Sequence, residues 1–440
     1  MSMTRVTRRQ ALAAAGGILG WSALGRSASG WLPRFANHLA NDPARKRHCV
    51  LLWMSGGPSQ MDTFDLKPGH ANGGEYKEIE TSAPGLRISE HLPNLAKHGD
   101  QLAVCRGLST SEGDHSRGTY LMHTGQRPGG PIAYPTIGAA ISKELGASSA
   151  ELPNFVSIAQ QSAFNRAAYA PGFLGPRFAA LKVGARNAAP GQMPQEGFAE
   201  LGVDDLTNSA ITAEQQTARL ELWQTLQDGF LASHGSSAPT AHKTVYESAV
   251  RMMQSEAAKA FDLSDETDQV RERYGRGQFG QGCLMARRLI ERGVPFIEVE
   301  LGGWDTHADN FEAIKNLSSQ LDAGWSSLMS ELKERGLLEQ TTILWMGEFG
   351  RTPRINAQTG RDHFPNAWSC VFAGGGISGG QAYGSSGPDG MEVVDGKIDV
   401  PDVLSTLCTA LGVDPDIQNI SDLGRPIRIA EGTPIKQILA

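Results

Sequence analysis

Cysteine is scarce in these 440 residues, and what there is does not pair. Cys49, Cys105, Cys283, Cys370 and Cys408 are scattered, with no Cys-x-x-Cys and no haem-attachment spacing. That excludes a dithiol redox centre, and it is not the pattern of a disulfide framework. No dinucleotide fingerprint follows a strand-like run, which removes the usual nicotinamide or flavin site. Basic clusters are missing beyond the N-terminus, and the formal charge is −7. Nucleic acid is therefore excluded as a partner, because its phosphates demand a basic face. Long apolar runs are missing as well. The longest, Ala11 to Leu24, falls short of the about 20 residues that span a bilayer.

What is present begins with that run. Thr7-Arg8-Arg9-Gln10-Ala11-Leu12 sets paired arginines directly before it, and Ser27-Ala28-Ser29-Gly30 closes it with small residues. A charged start, a short apolar middle and a small-residue end are the parts of a cleavable signal, and the adjacent arginines indicate the twin-arginine route. The expectation is a leader over residues 1–30, a periplasmic or extracellular mature chain, and no stable membrane span after cleavage. Losing the leader's four arginines moves the formal charge to −11. A chain folded in the reducing cytoplasm before export needs no bridges, so the five thiols are expected to be buried and free.

Residues 31–440 are expected to form one domain with a helical insertion at about 205–265. Apolar runs at Cys49–Met54, Leu102–Cys105, Phe155–Ile158, Phe296–Leu301, Thr342–Met346 and Ser369–Ala373 read as strands. Helical patterns fall at Cys283–Arg292, Phe311–Arg335 and Val403–Leu411, with a long helical region from Thr212 to Phe261. Strands alternating with helices of this length predict an α/β fold, a mainly parallel sheet covered on both faces.

Ligands of such sheets bind at the carboxyl ends of the strands, and three loops there carry chemistry. Ser55-Gly56-Gly57-Pro58-Ser59-Gln60-Met61-Asp62-Thr63-Phe64-Asp65 follows the first strand; Asp62 either binds a metal or forms an Asx-turn or cap. Trp304-Asp305-Thr306-His307 follows the strand ending at Leu301. Asp305 and His307 offer a hard oxygen and an imidazole nitrogen, which suits zinc or manganese; the alternative is a helix cap and an exposed loop histidine. Gly347-Glu348-Phe349-Gly350-Arg351-Thr352-Pro353, with Gly360-Arg361-Asp362-His363 beyond it, adds Glu348, Asp362 and His363. Arg351 and Arg361 suit an oxyanion such as phosphate or sulfate; the plainer reading pairs them with nearby carboxylates as salt bridges, and the two are compatible. A fourth polar stretch, Asp114-His115-Ser116-Arg117-Gly118-Thr119-Tyr120-Leu121-Met122-His123, holds hydroxyls that a metal or base would activate. Ser116 and Thr119 are the candidates, with Arg117 beside them, and no single hydroxyl is marked out.

These motifs, with the twin-arginine leader and in this order, resemble the bacterial domain-of-unknown-function family 1501, over nearly the whole mature chain. That family looks like a branch of the alkaline phosphatase and sulfatase superfamily, and the resemblance implies a three-layer α/β/α sandwich. By that analogy Asp305, His307 and His363 hold one divalent metal, and Asp62 and Glu348, with Asp362, hold a second. The ions implied are zinc, manganese or calcium. The implied activity is hydrolysis of phosphate or sulfate esters, with a small anionic ester or a sulfated or phosphorylated glycan as partner. Ser116 and Thr119 would supply the hydroxyl, and Arg117 and Arg351 the anion contact. Three positions depart from the superfamily pattern. Gly113 stands where sulfatases carry the nucleophile, Phe349 stands at a ligand position, and Asp62 lies well past its strand end. Those departures keep a second expectation alive, a non-catalytic binding or assembly protein on the same fold.

Overall fold

A computed structural model describes residues 48–440, except 162–163, 186–193, 195, 205, 207–211 and 234–236. The expected leader at 1–30 lies outside the described residues.

The apolar runs do become strands, because a sheet buried on both faces needs unbroken hydrophobic residues rather than alternation. In chain order the main sheet contains β1 (His48–Ser55), β2 (Leu102–Leu108), β3 (Phe155–Ile158), β4 (Leu181–Ala185) and β5 (Leu201–Gly202). It continues with β6 (Phe296–Gly302), β7 (Thr341–Met346), β8 (Trp368–Gly374) and β9 (Gln381–Tyr383). Their lateral order is β9-β2-β8-β7-β1-β6-β3-β4-β5. β1 lies at the centre, parallel to β6 on one side and β7 on the other, and all eight of its residues are buried. Most pairings are parallel, but β8 runs antiparallel between β2 and β7, and β5 is antiparallel to β4.

Helices cover both faces, which completes the three-layer α/β/α sandwich. One face carries α1 (His115–Thr124), α2 (Ile137–Leu145) and α8 (Val400–Ala410), packed on Cys49, Leu51 and Trp53. The other carries α6 (Gln278–Glu291) and α7 (Asn310–Glu334), packed on Val50, Leu52 and Met54. In α7 the residues Phe311, Ile314, Leu317, Leu321, Trp325, Leu328 and Leu332 recur every three or four positions and are all buried. Such spacing makes one apolar stripe, each large side chain of which contributes about 1.5–3 kcal/mol when fully buried. α8 starts where Asp399 and Asp402 form a capping box with Pro401 in the first turn.

The long helical region resolves into two helices, α3 (Ala213–Ser233) and α4 (Ser237–Gln254), clasped by a Trp223–Tyr246 ring stack at 3.9 Å. α5 (Asp268–Tyr274) follows. All five cysteines are buried and free. Among the described residues no helix is long and apolar enough to cross a membrane.

Candidate metal centre

The carboxyl ends of β1, β6 and β7 meet at one edge of the sheet, and their loops interlock there. Backbone crowding forces the residue choice at the crossing. Gly56 has φ +111°, and a Cβ there would stand 2.5 Å from the Asp305 nitrogen. Gly118 lets the first turns of α1 close onto Glu348 and Phe349, which an added Cβ would meet at 3.2 Å. That approach delivers His115, at the first position of α1, to the loops; Asp114 caps the helix by accepting from the Arg117 N–H.

Three imidazoles converge on one carboxylate oxygen, Oδ1 of Asp305. Its distances to Nε2 are 3.3 Å for His115, 3.1 Å for His307 and 3.3 Å for His363. The Nε2 atoms of His307 and His363 are themselves 3.0 Å apart. Among the described residues, His115, Asp305 and His363 form the one group of three whose ligand atoms all lie within 4.8 Å of one another.

Every one of these histidines has its other nitrogen engaged. Nδ1 of His115 is 2.6 Å from Glu348 Oε1, Nδ1 of His307 is 2.7 Å from Asp362 Oδ1, and Nδ1 of His363 is 2.9 Å from the Gly113 carbonyl. An acceptor at Nδ1 keeps the proton there and leaves the Nε2 lone pair for an ion. Aromatic packing fixes the rings: Phe164 stacks on His115 at 4.4 Å, and Phe349 lies 4.9 Å from His115 and 4.7 Å from His363. The His115 and His363 rings also meet edge to face at 4.3 Å, so Phe349 packs against a pair of histidines already in contact.

The charges follow from the contacts. Burial works against a charged His115, but its hydrogen bonds to Asp305 and Glu348 and their negative charge win, pushing it up to about 9. Burial likewise opposes a charged Asp305, yet His115 and Arg351 hold its carboxyl well below the usual range. For His363 burial dominates, and with the neighbouring positive charge of Arg351 and His115 it moves the imidazole down. Asp362 is lowered mainly by its hydrogen bond to His307.

The other expected residues fall elsewhere. Asp62 is fully buried, and its carboxylate is taken up by Arg361 (2.8 and 3.1 Å), the Asn310 amide (2.9 Å) and the Ser59 hydroxyl (2.5 Å). Asp62, Glu348 and Asp362, expected as a second ligand group, are not brought together among the described residues: Asp62 ties two loops, while Glu348 and Asp362 stand behind histidines as acceptors. Arg351, expected as an anion contact, lies buried among the loops. Its guanidinium donates to the Gly57 and Arg361 carbonyls (3.0 and 3.2 Å), to the Gly56 carbonyl and to Asp305 (2.5 Å). Arg361 is spent on Asp62 and on the carbonyls of Asn72, Thr352 and Pro353. Ser116 sits beside His115, its Oγ 3.2 Å from the Asn165 amide; Thr119 is buried with its hydroxyl unpartnered. Arg117 is exposed and paired with Glu112 at 2.8 Å. His115 was within a stretch already rich in polar groups, but nothing in its spacing distinguished it from its neighbours.

A family model described as protein of unknown function, DUF1501, matches residues 46–439, and the chain belongs to that family. No curated protein matches the sequence. Among solved structures it is similar to the PsFucS1 sulfatase from Pseudoalteromonas sp., at 14% identity and a TM-score of 0.39, covering 89% of this chain and 73% of that one. A protein in the alkaline phosphatase superfamily from Vibrio parahaemolyticus gives 13% identity and a TM-score of 0.35, with 88% and 76% covered. The lipoteichoic acid synthase LtaP from Listeria monocytogenes gives 8% identity and a TM-score of 0.39, with 90% and 80% covered. At such scores nothing about activity passes from those proteins to this chain.

Proposed function

We propose that this chain is an exported, metal-dependent hydrolase of phosphate or sulfate esters, with one divalent ion held by His115, His307, His363 and Asp305. The carrying observation is the convergence of three Nε2 atoms on Asp305 Oδ1 while every Nδ1 is already occupied. The donor set fits the group. Imidazoles with a single carboxylate suit zinc or manganese, whereas calcium takes oxygen ligands.

A bound divalent ion supplies Lewis-acid polarisation of an ester oxygen. The protein's own part is to orient and to admit. Glu348 and Asp362 hold the Nδ1 protons of His115 and His307, and Gly113 holds that of His363. Asp305 and Asp362 reach solvent and His307 is half-buried, so a small anionic ester or a sulfated or phosphorylated glycan has access from that side. Ser116 would supply the hydroxyl, at the N-terminus of a ten-residue helix whose dipole favours an anion.

The test is elemental analysis of protein expressed with zinc and manganese supplied, alongside turnover of nitrophenyl phosphate and nitrophenyl sulfate. Wild type should retain metal and hydrolyse one of them; His363→Ala should lose both properties, since ligand and orienting contacts go together. Wild-type protein that carries no metal ends the reading. A binding or assembly role on the same scaffold has one observation in its favour, because Arg361 has all five of its N–H donors spent and Arg351 four of five, which leaves neither as an open cation for an anion. Retained metal with no turnover of either ester would select that role.

A further inference from the structure

Beneath the strand-end centre lies a second group of buried polar side chains that nothing so far employs. Glu298, in the middle of β6, is fully buried, and neither of its carboxylate oxygens has a hydrogen-bond partner. Among the described residues no lysine or arginine pairs with it; its one ionic neighbour is His123, on the last turn of α1, with Nε2 3.6 Å from Glu298 Oε1. His123 is fully buried too, and its Nε2 is likewise unpartnered. Two hydroxyls flank the pair. Ser157 is the register partner of Glu298 on β3, and Thr119 lies one turn before His123; both are buried and unpartnered.

The tautomer sharpens the case. Nδ1 of His123 lies 2.9 Å from the Thr119 carbonyl, so the ring proton belongs there and the Nε2 lone pair faces the carboxylate. Lone pair against carboxylate, in an apolar interior, is repulsive unless something positive lies between them. A shared proton would draw the atoms into hydrogen-bond range, and 3.6 Å is beyond it. Two ligands bound at about 2.1 Å and at a tetrahedral angle on one ion stand roughly 3.4 Å apart, close to what is seen. The ring is also locked for this purpose, with Trp53 edge-on at 4.3 Å and Tyr169 at 4.6 Å.

We propose that Glu298 and His123 bind a second, fully internal divalent cation, with Ser157 and Thr119 as its neutral oxygen neighbours. The cation class is that of mixed imidazole and carboxylate sites, zinc or manganese. Its place in the fold gives it a structural purpose. α1 carries His115 at one end and His123 at the other, and β6 carries Glu298 four positions before the Gly302 terminus that launches Asp305. An ion joining His123 to Glu298 therefore pins the helix and the strand that supply two of the strand-end ligands. It does not rest on the hydrolase reading, because the two sites share no ligand.

The deciding experiment uses the full chain produced with Mn²⁺ as the only added divalent cation. Manganese is counted by mass spectrometry in wild type, Glu298→Gln, His363→Ala and the double variant. Expected are about two equivalents, about one, about one and none, with thermal stability falling in Glu298→Gln. Unchanged manganese in a folded Glu298→Gln overturns the proposal. Should that variant not fold, anomalous scattering at the manganese edge from wild-type crystals decides. A peak about 2.2 Å from His123 Nε2 and from a Glu298 oxygen supports the internal ion, and a map without one there refutes it. Loss of metal in Glu298→Gln but not in His363→Ala would retain this site while removing the strand-end one.

Discussion

A side chain's type says what it can bind, and only its surroundings say what it does bind. Arg351 and Arg361 illustrate the difference. Both stand in loops beyond strand ends, where a guanidinium reads as an anion clamp or as a salt bridge to a nearby carboxylate. The two readings are compatible, and each arginine does pair with a carboxylate, Arg351 with Asp305 and Arg361 with Asp62. The fold spends them on backbone carbonyls that the crossing loops leave without partners, which no sequence spacing announces. Asp305 and His307 could be singled out because they follow a strand end directly, and His363 because it stands in the polar stretch beyond the strand ending at Met346. His115 was not, since its role depends on a helix start lying against Glu348. The Arg361–Asp62 pair, with neither side chain exposed, gives a sharp expectation. Arg361→Met strands a buried carboxylate, and removal of one partner of such a pair costs about 3–5 kcal/mol. Urea unfolding of the variant measures it, and a loss below about 1 kcal/mol would show that Asp62 finds other partners or a proton.

At the level of whole elements, the apolar runs located five of the nine main-sheet strands to within one residue at each end and β2 with its end three residues short, because a run buried on both faces leaves little freedom in where it starts. The strands β4, β5 and β9 carry no such run. Direction was another matter. The pattern of Trp368–Gly374 is the same whichever way it points, so the antiparallel placement of β8 between β2 and β7 had no signature in the chain. The start of α6 at Gln278 was also hidden, since Gly280 and Gly282 inside its first turns look like a loop. The short helical turn Leu95–Gln101 is fastened to α7, and that fastening makes a pH-dependent prediction. His98 in this turn meets Ser330 of α7 at 3.1 Å, and burial, reinforced by Lys333 and Lys97, moves its imidazole below the ordinary 6.5. The folded state then binds fewer protons than the unfolded one in the range just below pH 6.5. Stability from this group is complete above that value and declines as pH falls toward the lowered value. His98→Gln should flatten that part of the melting temperature against pH curve between about pH 6.5 and 5. Parallel curves for wild type and variant would remove His98 as the cause.

Across the molecule, the five thiols tie the sheet to the expectation of export. Cys49, Cys105 and Cys370 lie on β1, β2 and β8, and Cys283 and Cys408 on α6 and α8 against opposite faces of the same sheet. Each is fully buried, and burial pushes the thiols of Cys49, Cys283, Cys370 and Cys408 up, away from the reactive thiolate. Cys105 and Cys370 face each other in register on neighbouring antiparallel strands, and in a chain that crossed unfolded they would be open to oxidation. A chain that folds first hides both before it meets an oxidant. Full-length protein recovered from the exported fraction, without added reductant, should therefore give no reaction with an aromatic disulfide reagent while native. After denaturation all five of its thiols should titrate. Three thiols rather than five after denaturation would mean that one pair had bridged, and that the chain met an oxidant before its sheet had closed.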